Sequence, residues 1–273
     1  MRRLCDPLFL FFLITIHFPL WANSGYDSDA NAILPGTHEM VSLPNSPLNK
    51  ISQNRKFIYF TFDDGPLSGS ENIDSIILAE NLKVSVFLVG MHVQKSHLME
   101  NYLKYYSMNP FIDEYNHSFT HAKGKYEEFY RNPAVVVADI MKNQTFLKLP
   151  YKIVRLPGRN MWRIGNRKRD DVNSGSAAAD SLAKLGFRVI GWDLEWQHDS
   201  RTGTPIQSVD EMEKEIERML SEGATFTKDH LVILLHDEMF QKKWEESELK
   251  QLIDRLRTHD NYVFEQIRFY PLN

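Results

Sequence analysis

Apolar residues in this chain gather in short unbroken runs instead of alternating with polar ones. "FIYFTF", "KVSVFLVG", "YKIVRLPG", "FRVIGWDLEW" and "HLVILLHDEM" keep their hydrophobic character over consecutive positions, which predicts strands buried on both faces. Between them, "SAAADSLAKLG" places Ala and Leu at helical spacing before a Gly stop, and "VDEMEKEIERMLSEG" and "EESELKQLIDRLRTHD" repeat apolar positions with the 3.6-residue period. Strands alternating with helices predict an α/β fold on a parallel sheet, open or closed into a barrel. No internal repeat is visible.

The amino-terminal part follows another pattern. After "MRR", the apolar run Leu8 to Trp21 is shorter than the roughly 20 residues that cross a bilayer. With the small residues Ala22, Asn23 and Ser24 behind it, residues 1–24 read as a signal peptide cleaved after Ser24, an uncleaved membrane anchor being the alternative. Residues 25–55, rich in Asn, Ser, Pro and Gly, read as a linker or an arm, and residues 56–270 as the functional domain. No later stretch has spanning length, so the expectation is an exported protein, periplasmic or extracellular, without stable membrane insertion once the leader is removed.

Composition narrows the chemistry. Cys5 is the single cysteine and falls in the leader, so the mature chain has no disulfide, thiolate ligand or cysteine nucleophile. The formal charge of -4 becomes -5 when Arg2, Arg3 and Asp6 leave, and without a basic stripe the chain is a poor nucleic-acid binder. Oligomeric state is not readable.

In folds of this class reactive groups collect where strands end, and four polar positions do so here: Asp63 with Asp64, Arg155, Asp193 or Glu195, and His236. Neighbouring strand residues face opposite sides, so Asp63 and Asp64 diverge unless the backbone turns, and Gly65 with Pro66 supplies a turn. The plainer reading of "DDGP" is a polar turn. His117 and His121, four apart, would share one face of a helical turn, an arrangement that offers two nitrogens to a metal ion. Asp64 is the natural third ligand, leaving positions open for water and substrate. Arg155, emerging from an apolar strand, needs a carboxylate partner, and its guanidinium suits Asp63, orienting it and keeping it ionised until it takes a proton. His236, after five apolar residues, is either a satisfied core histidine or a proton donor at the mouth of the sheet.

"TFDDGP", "HSFTH", "RLPG", "GWDLEW" and "LLHD", in this order, resemble the five motifs of the polysaccharide deacetylase family, the NodB-homology carbohydrate esterases. The resemblance covers roughly residues 56–267. It implies a distorted (β/α) barrel of about seven parallel strands. It also implies a divalent metal, most commonly Zn2+ with Co2+, Mn2+ or Ni2+ as other choices, held by Asp64, His117 and His121. Asp63 would be the general base, Arg155 its orienting partner and His236 the general acid. Either Glu195 or Asp193 would support His236, Glu195 being slightly favoured over Asp193 and Asp199. The implied activity is removal of N-acetyl groups from an extracytoplasmic acetylated polysaccharide or oligosaccharide, such as peptidoglycan or another N-acetylhexosamine polymer. O-deacetylation and a catalytically silent carbohydrate-binding module are the competing readings.

Two features depart from the family pattern, position 158 and the fourth motif, which in relatives supplies the acid that orients the catalytic histidine and is compressed here to "GWDLEW". Gly158 stands where an aromatic residue often follows the motif proline, which keeps a backbone N–H but removes an aromatic wall. Trp192 and Trp196 are candidates for lining a sugar site or for the core, and residues 162–176 read as a charged insertion, a solvated loop with one wall of the substrate groove as the alternative.

Overall fold

The computed structural model describes residues 54–242 and 246–272. The expected signal peptide and almost all of the expected arm lie outside the described residues. Among those described, no helix is long and apolar enough to cross a membrane.

Strand β1 (Lys56–Gly65) is the spine of a ten-stranded curled sheet. Strand β9 (His230–His236) runs parallel along one of its edges, from Phe57 opposite His230 to Asp63 opposite His236. The other edge is shared. β10 (Tyr262–Phe264) covers Lys56 to Ile58, and β2 (Val84–Leu88) covers Thr61 to Gly65. Parallel strands β3 (Ile112–Asn116), β4 (Ile153–Val154) and β7 (Arg188–Val189) continue outward from β2, and the antiparallel hairpin β5 (Trp162–Ile164) and β6 (Arg167–Arg169) ends that side. β8 (Leu194–Glu195) ends the other side, parallel to β9. The distorted barrel expected from the motifs is therefore present, with eight parallel strands and one antiparallel hairpin among the described residues.

Helices α1 (Ser70–Glu80), α2 (Gly90–Val93), α3 (His97–Met108), α4 (Tyr126–Tyr130), α5 (Pro133–Phe146), α6 (Ser176–Lys184), α7 (Val209–Glu222) and α8 (Glu248–Leu256) connect the strands. The three helices read from periodicity are α6, α7 and α8. Helix α7 begins on a reciprocal Ser208 and Glu211 capping box and ends on left-handed Gly223, the start and stop its sequence announces.

Period-two alternation sorts β1 into two layers. Ile58, Phe60 and Phe62 face outward with Leu231, Ile233 and Leu235, against apolar residues of α1, α7 and α8. Tyr59 faces inward with Phe87, Tyr115, Trp162, Val232 and Tyr270. This double burial explains the continuous apolar run, and it puts Thr61 and then Asp63 on the inner face.

Two expectations need correction. "FRVIGWDLEW" is not one strand: β7 pairs with β4 and β5, whereas β8 pairs with β9 at the opposite end of the sheet, so Ile190 to Asp193 carries the chain across. Residues 162–176 are not simply a solvated loop. Trp162 is fully buried and stacks on Phe226, while Arg163 pairs with Asp170 and Asp180.

Candidate active site

Asp63 reaches the inner face by strand alternation, and Asp64 joins it because its own backbone turns. Asp64 has a φ of 72°, in the left-handed region, and the pairing of β1 with β2 shifts register between Phe62 and Gly65. The turn thus starts at Asp64, one residue before the Gly-Pro pair. His117 Nε2 then lies 3.6 Å from Asp63 Oδ2 and 3.3 Å from Asp64 Oδ1. His121 Nε2 is 2.9 Å from the same Asp64 oxygen.

The two histidines do not sit on an α-helical turn. His117 follows β3 directly, and left-handed Ser118 (φ 71°) and His121 (φ 51°) fold the segment back. Neighbours that sequence reasoning missed hold this loop. Asn116 Oδ1 accepts from the Ser118 N–H and from Asn143 Nδ2, and Asp139 accepts from the N–H groups of Phe119 and Thr120. These are ordinary polar residue types, and only the loop's unpaired N–H groups make them necessary.

The donor set fits a cation. Buried His117 donates from Nδ1 to the Arg155 carbonyl at 2.9 Å, which leaves the Nε2 lone pair facing Asp64. Asp64 Oδ1 is buried and makes no hydrogen bond among the described residues. Asp64, His117 and His121 each offer a ligand atom, all within 4.8 Å of one another, and the approaches of 2.9 and 3.3 Å suit neighbouring ligands about 2.0–2.2 Å from one ion. Burial opposes the charge of Asp64, but both histidines outweigh it and hold its pKa well below the ordinary range. For His117, burial is outweighed by Asp63, Asp64 and the Arg155 carbonyl, and its pKa rises.

Arg155 is fully buried. Its Nη1 donates to Asp63 Oδ1 and to Thr61 Oγ1, each at 2.8 Å, while Nε and Nη2 donate to the carbonyls of Ile190 and Gly191. One prong therefore orients Asp63 and the others fix the crossing segment. Burial lowers the Arg155 pKa, and the charge of Asp63 works against that.

His236 reaches the same cavity from the end of β9. Its Nδ1 is buried without a hydrogen bond among the described residues, and burial lowers its pKa. No acid of the "GWDLEW" segment hydrogen-bonds to this nitrogen. Asp193 spends its carboxylate on the N–H groups of Phe226 and Val232, at 2.7 and 3.0 Å, and burial pushes its pKa up to about 6. Glu195 lines the cavity with His236 but makes no hydrogen bond to it. Exposed Asp199 caps its own turn through the N–H groups of Arg201 and Thr202. The close neighbour of His236 is instead His198, whose ring lies 4.6 Å away and whose Nε2 is 2.7 Å from Glu238.

The cavity measures about 240 Å³ and is lined by Asp63, Asp64, His117, His121, Glu195 and His236, with Tyr126, Gly158, Asp171 and Trp192 around them. Trp192 thus faces the cavity, while fully buried Trp196 packs on Phe240 and belongs to the core. An aromatic wall survives despite Gly158, because Tyr126 lies against that glycine. Asp171 comes from the segment that the sequence read as a charged loop.

A curled parallel sheet whose strand ends gather two acids, two histidines and a buried arginine defines the NodB-homology fold, a distorted (β/α) barrel. Residues 50–164 match the family model for polysaccharide deacetylases. Among solved structures, a CE4 esterase from Streptococcus mutans is similar with a TM-score of 0.58 at 21% identity, over 80% of this chain and 89% of that one. The chitin deacetylase of the fungal pathogen Colletotrichum lindemuthianum gives 0.56 at 15% identity, over 78% and 86%. The catalytic domain of a peptidoglycan N-acetylglucosamine deacetylase from Eubacterium rectale gives 0.54 at 17%, over 80% and 94%. At such identities the likeness is one of fold. No curated protein sequence matches the chain.

Proposed function

We propose that the chain is a metal-dependent hydrolase that removes N-acetyl groups from an extracytoplasmic polysaccharide, peptidoglycan or another N-acetylhexosamine polymer. In this reading residues 1–24 export it, 25–55 form an arm and 56–270 form the catalytic domain. The observation that carries the proposal is the meeting of Asp64, His117 and His121 within 4.8 Å beside an Arg155-bound Asp63. The match of residues 50–164 to the polysaccharide deacetylase model supports the substrate class. A chitin deacetylase and a peptidoglycan N-acetylglucosamine deacetylase among the fold relatives favour the amide over the ester.

Asp64, His117 and His121 would hold a divalent cation, Zn2+ being the best match to one carboxylate and two imidazoles. Such an ion supplies Lewis acidity, lowering the pKa of water from about 15.7 toward about 7 and polarising a carbonyl. Asp63, with Oδ1 held by Arg155, keeps Oδ2 for the proton that the attacking water gives up. The water oxygen bonds to the acetyl carbon, and the Gly158 N–H at the cavity wall meets the developing oxyanion. Protonated His236 then delivers its proton to the sugar nitrogen as the C–N bond breaks. Acetate and a free amine result.

Acetate release from N-acetylglucosamine oligomers tests the reading, with acetylated xylan as the ester comparison. The Zn2+-loaded protein is expected to release acetate from the former, to stop on chelation and to recover with Zn2+. Asp63→Asn is expected to lower kcat by about 10²–10⁴-fold. Release that survives both chelation and Asp63→Asn overturns the proposal.

A further inference from the structure

The segment after the second histidine is costly to form. His121, Ala122, Lys123 and Gly124 have φ values of 51°, 51°, 50° and 72°, four left-handed residues in succession, three of them with side chains. Each of those three costs about 1–2 kcal/mol over the ordinary conformation, and strain held in this way points toward a functional constraint. The turn feeds α4, whose first residue is Tyr126, and sets the Tyr126 ring edge-on to the His121 imidazole with centroids 5.7 Å apart at 88°.

A second observation comes from the opposite wall. Gly158 is itself left-handed, with φ 61°, and a Cβ there would stand 3.2–3.4 Å from the Cε1, Cζ and Cδ1 atoms of Tyr126. The ring occupies the room a side chain at 158 would need, so the glycine makes space for it. Arg159, bound to the carbonyls of Ser174 and Gly158, lies 5.7 Å from the ring centroid and backs it.

The hydroxyl is the third observation. Tyr59, Tyr106, Tyr115, Tyr130 and Tyr270 each spend theirs on a partner within the chain. Half-buried Tyr126 lines the cavity, and its hydroxyl has no partner among the described residues. A phenol, with its ordinary pKa of about 10, is an O–H donor at neutral pH.

We infer that Tyr126 is a specificity-determining residue: its ring is the wall against which the acetyl-bearing sugar packs, and its hydroxyl donates a hydrogen bond to a substrate oxygen. The ligand class is a neutral, hydroxyl-rich pyranose, with an apolar C–H face for the ring and an oxygen for the O–H. This rests on the deacetylase reading above.

Steady-state acetate release from the N-acetylglucosamine tetramer by Zn2+-loaded wild type, Tyr126→Phe and Tyr126→Ala tests it, with Zn2+ affinity measured in parallel. Tyr126→Phe keeps the ring and is expected to raise KM about 3- to 10-fold with kcat within about twofold, the loss of one hydrogen bond. Tyr126→Ala is expected to raise KM further, with Zn2+ affinity unchanged in both variants. Constants equal to wild type in Tyr126→Phe overturn the inference, as does a Tyr126→Ala defect that follows weakened Zn2+ binding, since the tyrosine would then only prop His121. No acetate release by wild type would instead sink the deacetylase reading, so the two failures are distinguishable.

Discussion

Asp63 and Asp64 are neighbours with different partners because one backbone angle separates them. Asp63 continues the inward face of β1 and meets Arg155, whereas left-handed Asp64 swings toward the two histidines. Their substitutions should therefore separate. Asp63→Asn is expected to bind Zn2+ as wild type does while losing turnover, and Asp64→Ala to lose Zn2+ affinity by more than about 100-fold, both read by calorimetric titration. Arg155→Met leaves buried Asp63 without its cation and two carbonyls without their donor. An expected cost of about 3–5 kcal/mol follows, measured by urea unfolding. Much of this was legible in advance, because a charged residue closing an apolar strand is conspicuous. The His117 and His121 pair was legible as a pair and not as a conformation, since Ser118 and His121 take left-handed angles without a glycine to announce them. Asn116, Asp139 and Asn143 gave no signal at all.

At the scale of elements, legibility followed burial. Strands β1, β2 and β9 are apolar over most of their length and were readable. Strand β3, "IDEYN", was not, because Asp113 and Glu114 are satisfied by Tyr115, Arg268 and Ser107, which no periodicity reveals. A buried carboxylate also ties elements together behind the site. Asp237, next to His236, accepts from Ser70 Oγ at 2.6 Å, the Tyr106 hydroxyl at 2.5 Å and the Leu67 N–H at 2.8 Å, and so joins the end of β9 to α1 and α3. Burial pushes its pKa up to about 6 against those hydrogen bonds. Between about pH 4 and 6 the native carboxyl keeps a proton that the unfolded chain has released. The Asp237 contribution to stability therefore falls as pH rises through that window, by up to about 3 kcal/mol. Asp237→Asn has no such proton, so its deficit relative to wild type is expected to be larger near pH 4 than near pH 7 in urea unfolding.

For the domain as a whole, the two ends of the sheet do not pair among the described residues, and Asn160 ties the hairpin end to the crossing segment that leads to β8. Asn160 accepts from Trp162 Nε1 and the Trp192 N–H and donates to the Trp192 carbonyl, which Arg169 also reaches. A Cβ on Gly191 would fall 2.2 Å from Asn160 Oδ1. Asn160→Ala is expected to destabilise by about 2–3 kcal/mol, from several polar groups left unpaired, and to weaken turnover because Trp192 lines the cavity. Nothing in the linear order announced this seam, which joins residues some 30 positions apart.

Strand β1 has Asp63 and Asp64 near one extremity and Lys56 at the other, about 25 Å away at the rise of an extended chain. A bead, surface or carrier protein coupled at exposed Arg55, beside that lysine, is thereby attached at the pole remote from the mouth. Immobilisation through that pole should leave the KM for a long glycan close to its value in free solution.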